Sequence, residues 1–106
     1  MRVVSQDGTV DVPYEGVLIT FGFNGNKTEY HVNGHLLMKE KSSFVKLAAY
    51  STEEKAKRAM GELQYAYSCR EVYKRDKNVA RHIPTDEMKR AIIGGVFQFP
   101  TEEELE

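Results

Sequence analysis

The chain has 106 residues, 41% of them hydrophobic, with 15 Lys and Arg against 16 Asp and Glu and a formal net charge of -1. That length accommodates one domain with a real core, and the near-neutral balance excludes binding of DNA or RNA through an overall positive field. No apolar stretch approaches the roughly 20 residues that span a bilayer, no signal-like apolar segment follows Arg2, and the single cysteine, Cys69, excludes an intrachain disulfide framework. A cytoplasmic protein without a membrane partner is the expectation.

The chain opens on two short β-branched runs, Met1 to Ser5 and Thr9 to Tyr14, joined by Asp7-Gly8. Asp-Gly supplies the positive φ angles of a two-residue hairpin turn, so the fold is expected to begin at once as a hairpin. Pro13 has no amide hydrogen and confines its strand to an edge or a bulge. Gly16 to Phe23 follows as a strand with Val17, Ile19, Phe21 and Phe23 on one face. Asn24-Gly25 predicts a tight turn, Thr28 to Val32 a strand, Asn33-Gly34 another turn, His35 to Met38 a returning strand, and Phe44 to Tyr50 a further one.

At Ser51 the period changes. Ser51 with Glu54 three residues later spells a capping box, and Ala56, Ala59, Met60, Leu63, Ala66 and Tyr67 recur at helical spacing, with Val72 and Tyr73 as its continuation against the weakening effect of Gly61 and Ser68. A second short helix is signalled by Pro84, Thr85 as cap, Asp86 and Glu87 in its first turn and Gly94-Gly95 as terminator. Val96 to Phe99 reads as a closing strand and Pro100 ends it. The expected fold class is α+β: an antiparallel meander or small open barrel of about five to six strands, packed by one long and one short helix. Residues 1–100 form the domain, and 101–106 are an acidic tail expected to be mobile.

Between Arg70 and Arg90 lie seven basic residues, Arg70, Lys74, Arg75, Lys77, Arg81, Lys89 and Arg90, against four acids, with Tyr73, Asn78 and His82 interleaved. Guanidinium groups match phosphate oxygens, aromatic faces stack on bases and Asn reads polar edges, although a solvated surface is the commoner origin of such a run. The candidate ligand residues are Arg75, Arg81 and Arg90 for phosphates, Asn78 for a base or ribose edge, and Phe23, at the end of its strand, for stacking. Phe21, Phe97 and Phe99 read as core.

No catalytic or metal site is expected. No glycine-rich phosphate loop is present. His31 and His35 straddle the expected Asn33-Gly34 turn, where they read as two surface hairpin histidines rather than metal ligands. Cys69 reads as a small buried or half-buried residue, and no positioned pair of carboxylates emerges.

The segments Met1-Arg-Val-Val-Ser-Gln-Asp-Gly8, Asp11-Val-Pro-Tyr-Glu15, Tyr50-Ser-Thr-Glu-Glu-Lys-Ala-Lys57 and Phe97-Gln-Phe-Pro-Thr-Glu-Glu-Glu104 resemble a group of small phage and prophage proteins of Gram-positive gut bacteria. The layout of a strand-rich first half, a helix, a basic insert and a final strand also resembles the first type of Thoeris anti-defence protein. That resemblance implies a phage-encoded sponge, acting in the host cytoplasm, that binds cyclic ADP-ribose isomers, in some members cyclic oligonucleotides, without degrading them and without a cofactor. It also implies a homo-oligomer, a hexamer, with pockets between subunits. The rival reading is a protein-interaction module that inhibits a host protein by direct contact, through a strand edge or the basic segment. A small nuclease or hydrolase is the third.

Overall fold

A computed structural model describes residues 1–36, 43–83 and 85–105. The expected strand over Leu37 and Met38, the Pro84 helix signal and Glu106 lie outside them. Among the described residues the fold is α+β, with six strands in two three-stranded sheets, one long helix and one short one.

The opening hairpin is present, with β1 (Arg2–Val4) antiparallel to β2 (Asp11–Pro13). Its turn is longer than the two residues expected of Asp7-Gly8. Ser5 N–H donates to the Val10 carbonyl at 2.8 Å, and inside that pair Gly8 N–H donates back to the Ser5 carbonyl at 3.0 Å. The reason is the Asp7 carboxylate, whose Oδ1 accepts from Ser5 Oγ (2.7 Å), Thr9 N (3.0 Å) and Thr9 Oγ1 (2.7 Å), so side-chain bonding stabilises a wider loop. Pro13 sits on an edge strand, as its missing amide hydrogen requires.

After a single 3-10 turn come β3 (Val17–Phe23), β4 (Tyr30–Leu36) and β5 (Ser43–Tyr50), an antiparallel meander in that spatial order. The β3–β4 connection is also wider than a tight Asn24-Gly25 turn. Asn24 Oδ1 accepts from Thr28 N (2.8 Å) and Glu29 N (3.2 Å), and it is Lys27, not the glycine, that takes positive φ at 55°.

Asn33-Gly34 is not a turn. Strand β4 runs straight through it, with Asn33 opposite Thr20 and Gly34 opposite Ile19. The glycine answers to packing: a Cβ there would lie 2.9 Å from Val17 Cγ2 and 3.2 Å from Leu47 Cδ1. The register against β5 shifts between Val32 and Asn33, a bulge that lets Leu47 and Ala48 both enter the core. His31 and His35 therefore share one strand and one face instead of meeting across a hairpin. His31 Nε2 lies 2.7 Å from Glu29 Oε1, and His35 Nε2 3.0 Å from Thr20 Oγ1.

Helix α1 spans Glu53–Arg75, and its buried residues are the expected Ala56, Ala59, Leu63 and Ala66. Its cap is Thr52, whose hydroxyl accepts from Lys55 N at 3.2 Å, not Ser51. Ser51 is committed elsewhere, donating its amide (2.7 Å) and its hydroxyl to Glu102 Oε1. After a 3-10 segment, Lys77–His82, helix α2 (Asp86–Ile92) begins at Thr85, whose hydroxyl accepts from Met88 N at 3.1 Å. It ends where Gly95 takes φ +74° and donates to the Ala91 carbonyl at 3.1 Å.

The closing strand β6 (Val96–Gln98) does not join the meander. It pairs in parallel with β1, Val3 opposite Phe97, completing the order β2-β1-β6. Parallel pairing demands a long crossover, which the meander and both helices supply. Residues of both sheets and of α1 form one hydrophobic cluster, with Val3, Val32, Leu47, Tyr50, Leu63 and Phe99 at its centre. The acidic segment after Pro100 is packed against the domain. Leu105 is buried, Arg58 Nη1 donates to its carbonyl at 2.8 Å, and Glu102 holds Ser51.

Candidate ligand groove

Where α1, α2 and β6 meet, the surface opens into a groove of about 490 Å³, within the range of small-molecule sites. Helix α1 contributes Arg58, Glu62 and Tyr65, spaced four and three apart and so on one face. Helix α2 contributes Glu87, Met88 and Arg90, and β6 with the segment after it contributes Gln98, Phe99 and Glu104.

The walls are fixed by polar ties. Gln6, from the β1–β2 loop, donates from Nε2 to the Pro100 carbonyl (3.2 Å) and accepts at Oε1 from Ala49 N (3.1 Å). Tyr50 hydroxyl donates to the same Pro100 carbonyl at 2.7 Å, and Phe97 and Phe99 stack edge-on with centroids 5.4 Å apart. Burial and the nearby Glu62, Glu104 and Glu102 carboxylates push the Tyr50 phenol well above its ordinary range, so it is a donor at every working pH.

Two arginines face this space in different states. Arg58 gives Nη1 to Leu105, and its Nε lies 3.9 Å from Glu62 Oε1. The Arg90 side chain is exposed and, among the described residues, has no hydrogen bond or ion pair. Glu62 is half-buried, and desolvation raises its carboxyl pKa against the lowering effect of Arg58. The exposed Tyr65 ring lies at the groove, its phenol pKa raised by a hydrogen bond with Cys69, which is itself half-buried as expected. The groove sets two guanidiniums, Arg58 and Arg90, against the carboxylates of Glu62, Glu87 and Glu104, so an anion with a planar ring would be held there by local arginine contacts and the exposed Tyr65 ring and not by a positive field.

The five residues singled out from sequence do not converge. Arg90 lines the groove. Arg75 ends α1, Asn78 and Arg81 lie in the following 3-10 segment, and all three are exposed. Among the described residues Asn78 is held through its backbone amide, which donates to Asp76 Oδ1 at 3.0 Å. Phe23 closes β3, 54% exposed, with Lys27 Nζ 5.4 Å above its ring. Other basic residues of the Arg70–Arg90 run have local tasks. Lys74 pairs with Glu71 at 3.0 Å, Lys77 caps the Tyr73 ring at 4.1 Å, and Arg70 Nη1 donates to the Ile92 and Ile93 carbonyls.

Sequence reasoning missed Arg58, Glu62 and Tyr65, which sit in a helix read only for its apolar stripe. Their spacing marks a second face of α1, but only the fold shows that β6 passes beside it. A second cavity, of about 420 Å³, lies between β3 and α1, lined by Tyr14, Val17, Ile19, Met60, Leu63 and Tyr67 among others. Glu15 and Gln64 add polar groups to its lining. Among the described residues no group of three His, Cys, Asp or Glu side chains is placed to hold a metal ion, and no helix is long and apolar enough to cross a membrane.

No protein-family model, no curated protein and no solved structure matches the chain.

Proposed function

We propose that this protein binds and sequesters an anionic nucleotide signal in the groove between α1, α2 and β6, without converting it. The observation that carries the reading is Arg90: a guanidinium with no partner among the described residues, lining a groove of ligand size beside Arg58 and an exposed tyrosine ring. In this reading Arg90 takes a phosphate in paired donation and Tyr65 stacks on the base. Gln98 reads ring edges, and Glu62, with its raised carboxyl pKa, offers a ribose hydroxyl a partner.

The ligand class comes from the resemblance of the terminal segments and the first helix start to small phage proteins and to Thoeris anti-defence proteins. It is a cyclic ADP-ribose isomer or a cyclic oligonucleotide made by a host immune enzyme, and the protein acts in the host cytoplasm. Sequestration needs tight, rigid binding and no general base, and the groove's amides are already locked by Pro100, Ser5 and Ala49.

Isothermal titration with glycocyclic ADP-ribose and with cyclic trinucleotides tests it. One class binds with submicromolar affinity, the ligand is recovered with unchanged mass after heat denaturation, and Arg90→Ala abolishes the heat while the fold is retained. No heat with either class, or a changed ligand mass, rejects the proposal.

A further inference from the structure

The groove between α1, α2 and β6 has part of its wall built from the acidic segment, with Thr101 and Glu104 in its lining. A single 3-10 turn, Glu103–Leu105, packs on α1, with the Leu105 side chain buried and the Leu105 amide donating to the Glu102 carbonyl at 3.2 Å. Glu104 Oε1 turns back to accept from Thr101 Oγ1 (3.0 Å) and Thr101 N (3.4 Å), which keeps that carboxylate at the groove. Its charge helps to raise the pKa of both Glu62 and Tyr50.

The same segment occupies one of the two groove guanidiniums. The Arg58 side chain is 57% exposed, yet its Nη1 donates to the Leu105 carbonyl at 2.8 Å. Glu102 supplies an anchor outside the groove lining, accepting from the amide and hydroxyl of Ser51 and lying 3.7 Å from Lys55 Nζ. The segment therefore gives Arg58 an oxygen acceptor and brings a negative charge to the groove, the two things that an anionic ligand would also bring.

We infer that residues 101–105 are an internal competitor for the groove, and that an anionic ligand binds fully only when this segment leaves α1 and releases Arg58 to act beside Arg90. The inference rests on the groove being the anion site and names the regulation of that site. An anion that meets the closed groove gains Arg90 and is repelled by Glu104, whereas one that displaces the segment gains both guanidiniums and loses that repulsion. Apparent affinity is then the intrinsic affinity of the open groove scaled by the fraction of molecules in which the segment is released. A simple phosphate makes too few contacts to shift that fraction, so the segment selects for a larger ligand that also reaches Tyr65 and Gln98. Linkage is reciprocal: whatever the segment costs the ligand, the bound ligand costs the segment.

Isothermal titration of wild type, Leu105→Ala and Glu102→Gln with glycocyclic ADP-ribose and with cyclic triadenylate, alongside hydrogen exchange of the Leu105 amide, supplies the test. Leu105→Ala, which removes the apolar anchor, should bind at least about tenfold more tightly than wild type, and Glu102→Gln, which weakens the anchor at Ser51, should bind more tightly by a smaller factor. Saturating ligand should speed exchange of the wild-type Leu105 amide by the factor that Leu105→Ala gains in affinity. Arg58→Ala should lose more affinity in the Leu105→Ala background than in wild type, where the segment already holds that guanidinium. Should Leu105→Ala fail to fold by circular dichroism, Glu102→Gln and the exchange measurement decide. Binding to wild type that neither variant tightens, or a ligand that slows exchange at Leu105, overturns the inference and leaves the groove as the anion site. Binding of neither ligand to any of the proteins overturns both.

Discussion

The Arg70 guanidinium occupies the space that a side chain on Gly95 would need: a Cβ at Gly95 would stand 2.9 Å from both Arg70 Cζ and Nη2. From that position Arg70 Nη1 donates to the carbonyls of Ile92 (2.9 Å) and Ile93 (3.2 Å), satisfying the end of α2 from α1. The helix end is thus closed by a glycine in the left-handed region and an arginine from another element. Gly95→Ala incurs the left-handed backbone cost, about 1 to 2 kcal/mol, and also displaces Arg70. Arg70→Ala leaves two carbonyls without their donor, at about 1 to 3 kcal/mol. Chemical denaturation of both single mutants and the double mutant should show a sum larger than the double, because the second change removes the clash that the first creates.

Gly34 makes a different demand, with ordinary backbone but no room. Gly34→Ala forces a methyl against Val17 Cγ2 and Leu47 Cδ1 in the middle of the meander, a loss of about 1 to 3 kcal/mol by urea denaturation. Adding Val17→Ala should return part of it. A turn at Asn33-Gly34 would also lose stability on Gly34→Ala, through the positive φ it demands, but Val17→Ala would then return none of it, so the rescue is what identifies the packing role.

These two glycines show what could be read from residues alone. Gly95 follows a short amphipathic run with acids at its start, so its terminating role is written in local sequence. Gly34 follows Asn, which is the local signature of a turn, and only the long-range neighbours Val17 and Leu47 give it its actual role. The same division holds elsewhere. The stripe of α1, the Thr85 cap, the Pro13 edge and the α+β class are local properties. The parallel pairing of β1 with β6 joins chain ends and leaves no local trace. Arg90 was legible as a basic residue, whereas its grouping with Arg58 and Tyr65 depends on α2 folding back beside α1.

The Asp7 carboxyl is held down at about 2 by its hydrogen bonds from the Thr9 hydroxyl and amide and the Ser5 hydroxyl. A carboxyl depressed in the folded state contributes stability fully above its unfolded pKa of about 4, and that contribution fades as the pH falls toward 2. The difference in melting temperature between wild type and Asp7→Ala should therefore be largest at neutral pH and shrink between pH 4 and 2. A difference that stays constant across that window would mean that the loop does not depend on the ionised carboxylate.

The groove carboxyl should behave with the opposite sign. Burial raises the Glu62 pKa more than Arg58 lowers it, so folding favours the protonated acid and stability is lost as the pH rises from the unfolded toward the folded pKa. Glu62→Gln should melt higher than wild type at pH 7 and the same at pH 3.5, as read by calorimetry at the two values.

The acidic segment after Pro100 was expected to be mobile, but its Leu105 side chain is only 3% exposed and its Glu102 holds the start of α1 through Ser51. Apolar burial at Leu105 is what opposes the chain entropy of a short charged segment. Leu105→Ala should release residues 101–105 as a unit, since the Arg58 bond to the Leu105 carbonyl and the Glu102 bond to Ser51 cannot by themselves order five residues. Glutamyl endopeptidase should leave the segment intact in the wild type and cleave it at Glu102 to Glu104 in the mutant, with hydrogen exchange of the Leu105 amide accelerated about thirtyfold or more. Equal cleavage of the two proteins would mean that the segment is released from the domain even with Leu105 in place.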